Sequence, residues 1–234
     1  MTKSILITQS NYIPWKGYFD AIASTDVFVI YDDMQYTKRD WRNRNLIKTE
    51  NGLKWLSIPV EVKGKYFQKI NETLISDENW NISHLNILKS NYRNATHYKN
   101  VIAWVDTLYL NCNHKLLTDI NQYFIENITE FLGIKATIIR SEEFNLAEEK
   151  TERLINICTD LNATDYYSGP AAKAYMDEEK FKKQNINVHY FDYSNYPEYN
   201  QPNPPFEHGV SILDLIFNKG ENARDFLKSN SNGQ

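Results

Sequence analysis

Cysteine is scarce in this chain, and several other fixtures of cofactor-dependent or membrane proteins are missing. The 234 residues include two cysteines, Cys112 and Cys158, far apart in sequence. Two distant thiols make no disulfide framework, and they read as reduced residues of a cytosolic protein. Neither has the basic or helix-start surroundings that mark a thiolate nucleophile. The apolar run inside Met1–Gln9 is far too short for a signal peptide. No stretch approaches the roughly 20 apolar residues of a membrane span. A cytoplasmic protein with no membrane span is therefore expected. Neither G-x-G-x-x-G nor G-x-x-x-x-G-K-[ST] occurs, so both nucleotide fingerprints are missing. The five histidines, His84, His97, His114, His189 and His208, show no ligand spacing. No metal is expected. A net charge of −4 argues against broad coating of nucleic acid.

Aromatic residues and one basic window stand out instead. The chain carries 16 Tyr, 11 Phe and 5 Trp. Rings with polar tips suit pockets for rings or sugars, although a tyrosine at the edge of a core needs no ligand. Between Gln35 and Lys48, five of fourteen residues are basic and one is acidic, a net +4 on a chain whose other 220 residues sum to −8. Arginine forks, asparagine amides and a tryptophan face together can hold a phosphate or carboxylate beside a ring.

Strand and helix alternate at both ends of the chain. Ser4–Gln9 and Asp26–Tyr31 are short apolar runs flanking a loop with Pro14 and Gly17 and a helix over Tyr18–Ser24. Near-continuous apolar strands predict a parallel sheet buried on both faces. Lys54–Val60 reads as a third strand. Helices are predicted over Trp80–Tyr92, Val101–Leu110 and Leu116–Leu132, a helical insertion at about 80–132. A strand at Ala136–Arg140, a helix at Glu148–Leu161, and strands at Tyr166–Ser168 and Val188–Tyr193 follow. Tyr196–Pro205 reads as a loop and Ser211–Asn218 as a helix capped by Ser211 and Asp214. The expected architecture is a single α/β domain over 1–228: a mostly parallel, Rossmann-like sheet flanked by helices, with a disordered tail at 229–234.

Four constellations could carry chemistry. The first is the loop after the opening strand, with Gln9, Tyr12, Trp15 and Gly17. In doubly wound sheets ligands sit at the carboxyl ends of strands, and a helix starting near Gly17 would aim free N–H groups at an anion. The second is Asp32-Asp33 followed by Gln35, Lys38, Arg39, Trp41, Arg42, Asn43, Arg44 and Asn45. Acids at a strand's carboxyl end can bind a metal, act as a base or simply pair with the arginines. In an extended segment Arg42 and Arg44 share one side, and Trp41, Asn43 and Asn45 the other. The third is the small-residue turn with Ser168, Gly169 and Lys173, where backbone can approach a ligand closely. The fourth is His208, ahead of a helix at the end of a flexible loop, a candidate general base.

These blocks together resemble the WbqC-like family. The matching residues are Gln9-x-x-Tyr12-x-Pro14-Trp15-x-Gly17-Tyr18-Phe19, then Asp26-x-Phe28-Val29-x-x-Asp32-Asp33-x-Gln35-Tyr36-x-Lys38-Arg39-x-Trp41-x-Asn43-Arg44-Asn45. Trp55-Leu56-x-x-Pro59-Val60, Ser168-Gly169-Pro170-Ala171-Ala172 and Ser211-Ile212-Leu213-Asp214-Leu215 complete them. Where the family often has Pro and His after the first Gln, this chain has Ser10 and Asn11, so no role for such a histidine carries over. The resemblance implies work on a nucleotide-linked amino sugar, in the family setting of O-antigen and other surface-polysaccharide clusters, by acyl or aminoacyl transfer to the sugar amine. An acyl or aminoacyl donor would be the co-substrate. The opening also looks like that of HIGH-type nucleotidyl transferases, with Trp15-Lys16-Gly17-Tyr18 in place of His-x-Gly-His. That argues against adenylyl transfer and leaves nucleotide binding open.

The expectation is one crevice formed by Gln9–Tyr18, Asp32–Asn45 and Ser168–Lys173. Arg39, Arg42 and Arg44 would hold phosphate or carboxylate. Tyr12, Trp15 and Trp41 would pack on a base or sugar. Asp33, nearer the basic patch, or else Asp32 would be the base, with His208 in reserve. A nucleotide-sugar binder without catalysis and a nucleotidyltransferase-like enzyme lacking the HIGH histidines are the alternatives. Nucleic acid is an unlikely partner on this charge balance.

Overall fold

Residues 2–231 are described by a computed structural model of the chain. In chain order the elements are β1 (Ser4–Thr8), α1 (Lys16–Ala23), β2 (Val27–Ile30), β3 (Arg44–Thr49), β4 (Gly52–Ser57), α2 (Trp80–Tyr92), α3 (Tyr98–Leu110) and α4 (Leu117–Phe131). There follow β5 (Thr137–Arg140), α5 (Lys150–Asp160), β6 (Asp165–Ser168), α6 (Glu178–Lys183), β7 (Asn187–Tyr190), α7 (Ile212–Lys219) and α8 (Lys228–Ser231). Five strands form a sheet in the order β5-β2-β1-β6-β7, and every neighbouring pair is parallel. The α/β, Rossmann-like reading of the sequence is what the chain forms.

Apolar residues fill both sides of the central strands because helices cover both faces. Leu6, Phe28 and Ile30 join a large core with α1, α2, α3, α4 and α7. Ile5, Ile7, Val27, Val29 and Tyr166 join a second core with α5 and Phe181 of α6. The period of two along each strand sorts its residues between these layers.

The chain runs from β1 to β2 to β5 on one side, then crosses to β6 and β7 on the other. The order thus reverses between β1 and β6, where a doubly wound sheet opens a crevice at its carboxyl edge.

The run expected as a third strand of the sheet is instead the second arm of a separate antiparallel hairpin, β3–β4. Asn51-Gly52 sits at its turn, and Gly52 adopts φ +96°, a conformation that favours glycine. Of the tail expected to be disordered, residues 229–231 belong to α8, and 232–234 lie outside the described residues.

Candidate functional site

The Gln9–Trp15 loop leaves the carboxyl end of β1 and is fastened from several sides. The Asp32 carboxylate accepts the Ser10 N–H at 2.8 Å, the Ser10 hydroxyl at 2.6 Å and the Thr118 hydroxyl at 2.7 Å. Asn121 donates to Ser10 Oγ and to the Arg42 carbonyl, both at 2.9 Å. Asn45, at the inward-facing position of β3, donates to the carbonyls of Tyr12 and Ile13, each at 3.0 Å. Ile13 has φ +37°, a strained value for a β-branched residue, and this web of bonds holds it there. Two hollows open beside the loop.

The larger hollow, about 550 Å³, lies at the β1–β6 reversal. Thr8, Gln9, Tyr31, Tyr166, Ser168, Gly169 and the start of α5 line it. A methyl group added to Gly169 would meet no heavy atom within 4 Å, so that backbone faces open space. The N-terminus of α5 points at this hollow but is already occupied. Glu149 accepts the N–H groups of Thr151 and Glu152, both at 3.0 Å, and the Lys180 ammonium at 3.1 Å. These bonds, the backbone ones first, hold the Glu149 carboxyl down at about 2. The protein's own carboxylate fills the anion position of this helix end.

The second hollow, about 340 Å³, is lined by Asn11, Pro14, Trp15, Trp41, Asn45, His208 and Gly209. Gly17 is what lets the Trp15 ring close over the start of α1. A Cβ at Gly17 would stand 2.3 Å from that ring. His208 packs edge-on against Phe206, ring centroids 4.7 Å apart. Its Nδ1 is buried without a partner, and burial together with the nearby Lys16 ammonium pushes its pKa down, so it is neutral at pH 7.

The three expected stretches therefore do not build one cationic crevice. Gln9, Ser168 and Gly169 line the first hollow, and Trp15, Trp41, Asn45 and His208 the second. Neither hollow is lined by Arg39, Arg42 or Arg44. Arg42 precedes β3 and turns back onto the loop, donating to the Ser10 carbonyl at 3.3 Å and to Asn11 Oδ1. Arg44, inside β3, lies 3.9 Å over the Trp55 ring and donates to the Arg39 carbonyl. The shared side expected for the two arginines is lost because regular strand starts only at Arg44. Lys38 and Arg39 are exposed, as is Lys173, whose Nζ stands 5.9 Å from the Tyr190 ring.

Several polar candidates have internal duties. Tyr12 is fully buried, its hydroxyl 2.8 Å from both His84 Nδ1 and the Tyr109 hydroxyl. Asn43 donates to the Ile58 carbonyl at 2.8 Å and accepts from Tyr36 at 3.0 Å. Gln35 donates to the Tyr66 carbonyl at 2.8 Å. Asp33 turns away from the basic window and accepts the Ser141 hydroxyl at 2.5 Å. It lies in a separate shallow depression with Lys69, Glu142 and Arg153. Proximity in sequence to Arg39–Arg44 is thus no guide to its neighbours.

Ser211 caps α7 through its Oγ, 3.3 Å from Leu213 N, but Asp214 is not a capping residue. It is buried, accepting from Tyr92 at 2.9 Å, Tyr199 at 2.7 Å and Gln201 at 2.8 Å. Residues not singled out in the sequence also line the hollows, among them Thr8, Tyr31 and Thr151. Thr8 and Tyr31 end β1 and flank β2 at the carboxyl edge, so strand position alone was signal enough for them. Thr151 had no such marker. Among the described residues no group of three or more His, Cys, Asp or Glu side chains is placed to hold a metal ion.

No solved structure matches the chain. The uncharacterized protein Rv1507c of Mycobacterium tuberculosis (strain ATCC 25618 / H37Rv) is 49% identical over 226 residues, covering 97% of this chain and 98% of that protein. The model of the WbqC-like protein family matches residues 9–226, from the Gln9 loop past α7, and the chain belongs to that family.

Proposed function

We propose that the chain binds a nucleotide-linked amino sugar in the β1–β6 crevice and acts in surface-polysaccharide (O-antigen-type) biosynthesis, transferring an acyl or aminoacyl group to the sugar amine. The observation that carries the binding half is the position of the crevice, at the carboxyl edge where the strand order reverses. Its lining supports the same reading. Hydroxyls of Thr8, Thr151 and Ser168 and the Gln9 amide suit a polyhydroxylated ligand, and the exposed Tyr175 offers ring surface. The transfer half follows from the family resemblance. In it, the amine nitrogen attacks the carbonyl carbon of an activated donor such as a thioester or acyl phosphate. An amide bond forms, the bond to the donor's leaving group breaks, and the amine proton departs to that leaving group or to solvent.

The test is a thermal-shift screen of nucleoside diphosphate sugars, free nucleotides and amino sugars, followed by mass spectrometry with acyl donors. A ligand of the folded chain raises the melting temperature. Gly169→Leu fills the crevice without backbone strain, because Gly169 has an ordinary extended conformation with φ −70° and free space ahead of it. It should abolish the ligand-induced shift and leave the free protein's melting temperature unchanged. A screen without a hit, or a shift that survives Gly169→Leu, overturns the proposal of binding there. Binding without an amide product overturns the transfer.

A further inference from the structure

Tyr66 and Phe67 stand side by side with 76% and 82% of their surface open, at the tip of a loop between Val60 and Ile70. No other large hydrophobic side chain among the described residues is more exposed than Phe67. The two rings meet edge to face, centroids 5.0 Å apart at 88°. They are held out rather than left loose. Gln68 donates to the Glu61 carbonyl at 2.8 Å across the base of the loop, and Gln35 donates to the Tyr66 carbonyl at 2.8 Å. Backbone bonds from Tyr36 N to the Gln68 carbonyl, 3.0 Å, and from Ile70 N to the Met34 carbonyl, 2.9 Å, tie the base to the body. A pinned loop displaying two adjacent rings to water marks an interaction surface.

Charge identifies the partner. Lys63, Lys65 and Lys69 of the same segment are exposed. The one acid of the segment 60–70, Glu61, precedes them and is paired with Lys65 at 2.5 Å. With that pair neutral, Lys63 and Lys69 leave the segment 60–70 at net +2 on a chain whose net charge is −4. Aromatic rings at a protruding tip with lysines beside them match a bilayer interface: rings settle at the headgroup level and ammonium groups meet anionic phosphates. Single-stranded nucleic acid is the poorer fit. It wants flat faces in series along a groove, whereas these two rings stand at 88° to each other and form no parallel series.

We propose that the Val60–Ile70 loop docks the protein on an anionic membrane surface, Tyr66 and Phe67 entering the interface and Lys63 and Lys69, the lysines outside the Glu61–Lys65 pair, contacting phosphate headgroups. No described helix is long and apolar enough to cross a membrane, so the contact is peripheral. This docking is independent of what the crevice binds.

The experiment is co-sedimentation of the full chain with vesicles of phosphatidylcholine alone and of phosphatidylcholine mixed with phosphatidylglycerol. Partition onto the anionic vesicles is expected, weakening with added salt, with little onto the neutral ones. Tyr66→Ser with Phe67→Ser should lower the partition coefficient about tenfold or more. Replacing the lysines by Gln should lower it about fivefold for each charge removed. All these side chains are exposed, so melting temperatures and any crevice-ligand shift should be unchanged. Absence of anionic-vesicle binding by the unmodified chain, or binding indifferent to the rings, overturns the proposal. So does a finding that the rings serve binding of a single-stranded RNA oligonucleotide, or self-association in sedimentation equilibrium, while vesicles bind nothing.

Discussion

The Asp32 carboxylate holds both the N–H and the hydroxyl of Ser10, at 2.8 and 2.6 Å, and so fixes the first turn of the loop that lines both hollows. Burial pushes its pKa up, and the hydrogen bonds from Ser10 and Thr118 pull it back. With its oxygens committed to internal donors, Asp32 is a clamp. Asp32→Ala leaves those donors without an acceptor in a buried place and should destabilise the protein by about 3 kcal/mol. Asp32→Asn, which keeps one acceptor oxygen, should cost less. Urea denaturation of the variants measures both. A loss below about 1 kcal/mol for the alanine variant would show that the carboxylate is free for other work.

Acid should weaken the fold through His84. The Ser57 carbonyl, 3.2 Å from Nε2, can only accept, so Nε2 carries the hydrogen and Nδ1 accepts from the Tyr12 hydroxyl. Burial lowers the His84 pKa to about 4. The unfolded chain binds this proton near the ordinary value of about 6.5, while the folded chain resists until about pH 4. Stability from this group is thus whole above pH 6.5 and falls between about 6.5 and 4, by at most about 3 kcal/mol. Chemical denaturation at stepped pH should show this slope, and His84→Gln should flatten it. An equal slope in the variant would move the cause to other residues.

Gly17→Ala should expel Trp15 from the aromatic hollow. The added methyl group would lie 2.3 Å from the ring, although alanine favours a helix by up to about 1 kcal/mol over glycine. The clash should outweigh that gain and leave a net loss of about 1–2 kcal/mol. The ring now meets Tyr193 and Tyr196 at centroid distances of 5.3 and 5.6 Å. Released to water, it should shift the tryptophan emission to longer wavelength, and the Trp15→Phe background should lack that shift. An unchanged spectrum would mean that the ring finds another seat nearby.

The parallel sheet was legible because strands buried on both faces must be apolar throughout, as Val27–Ile30 is. Helix α2 was legible to its ends, Trp80 and Tyr92. The hairpin was missed although Asn51-Gly52 announces one, because polar residues on both sides of β3, Asn45 on one and Lys48 on the other, are buried and break the usual alternation. The site was less legible than the fold. Arg42 and Arg44 are two residues apart but differ in backbone state, so one ties down a loop and the other stacks on Trp55. Spacing cannot tell Asp32, which faces Ser10, from Asp33, which faces Ser141. Both lie just beyond the end of β2 at Ile30, where no strand period applies, and only the partners each one meets decide what it does.

The loop from Tyr196 to His208 depends on a carboxylate at the first turn of α7. Asp214 accepts Tyr199 at 2.7 Å and Gln201 at 2.8 Å, and Lys48 donates to Gln201 Oε1 at 3.1 Å and to the Pro205 carbonyl. His208 follows directly, so its place beside Trp15 and Trp41 is set by this anchorage. Tyr199→Phe removes one bond and should cost about 1 kcal/mol. Asp214→Ala strands Tyr92, Tyr199 and Gln201 together and should cost about 3–5 kcal/mol. Limited proteolysis distinguishes local from global loss. Cleavage within 196–208 should accelerate in Tyr199→Phe at temperatures where the rest of the chain stays intact, because local opening needs less free energy than unfolding. Uniform cleavage along the chain would instead show that the loop and α7 open only with the whole fold.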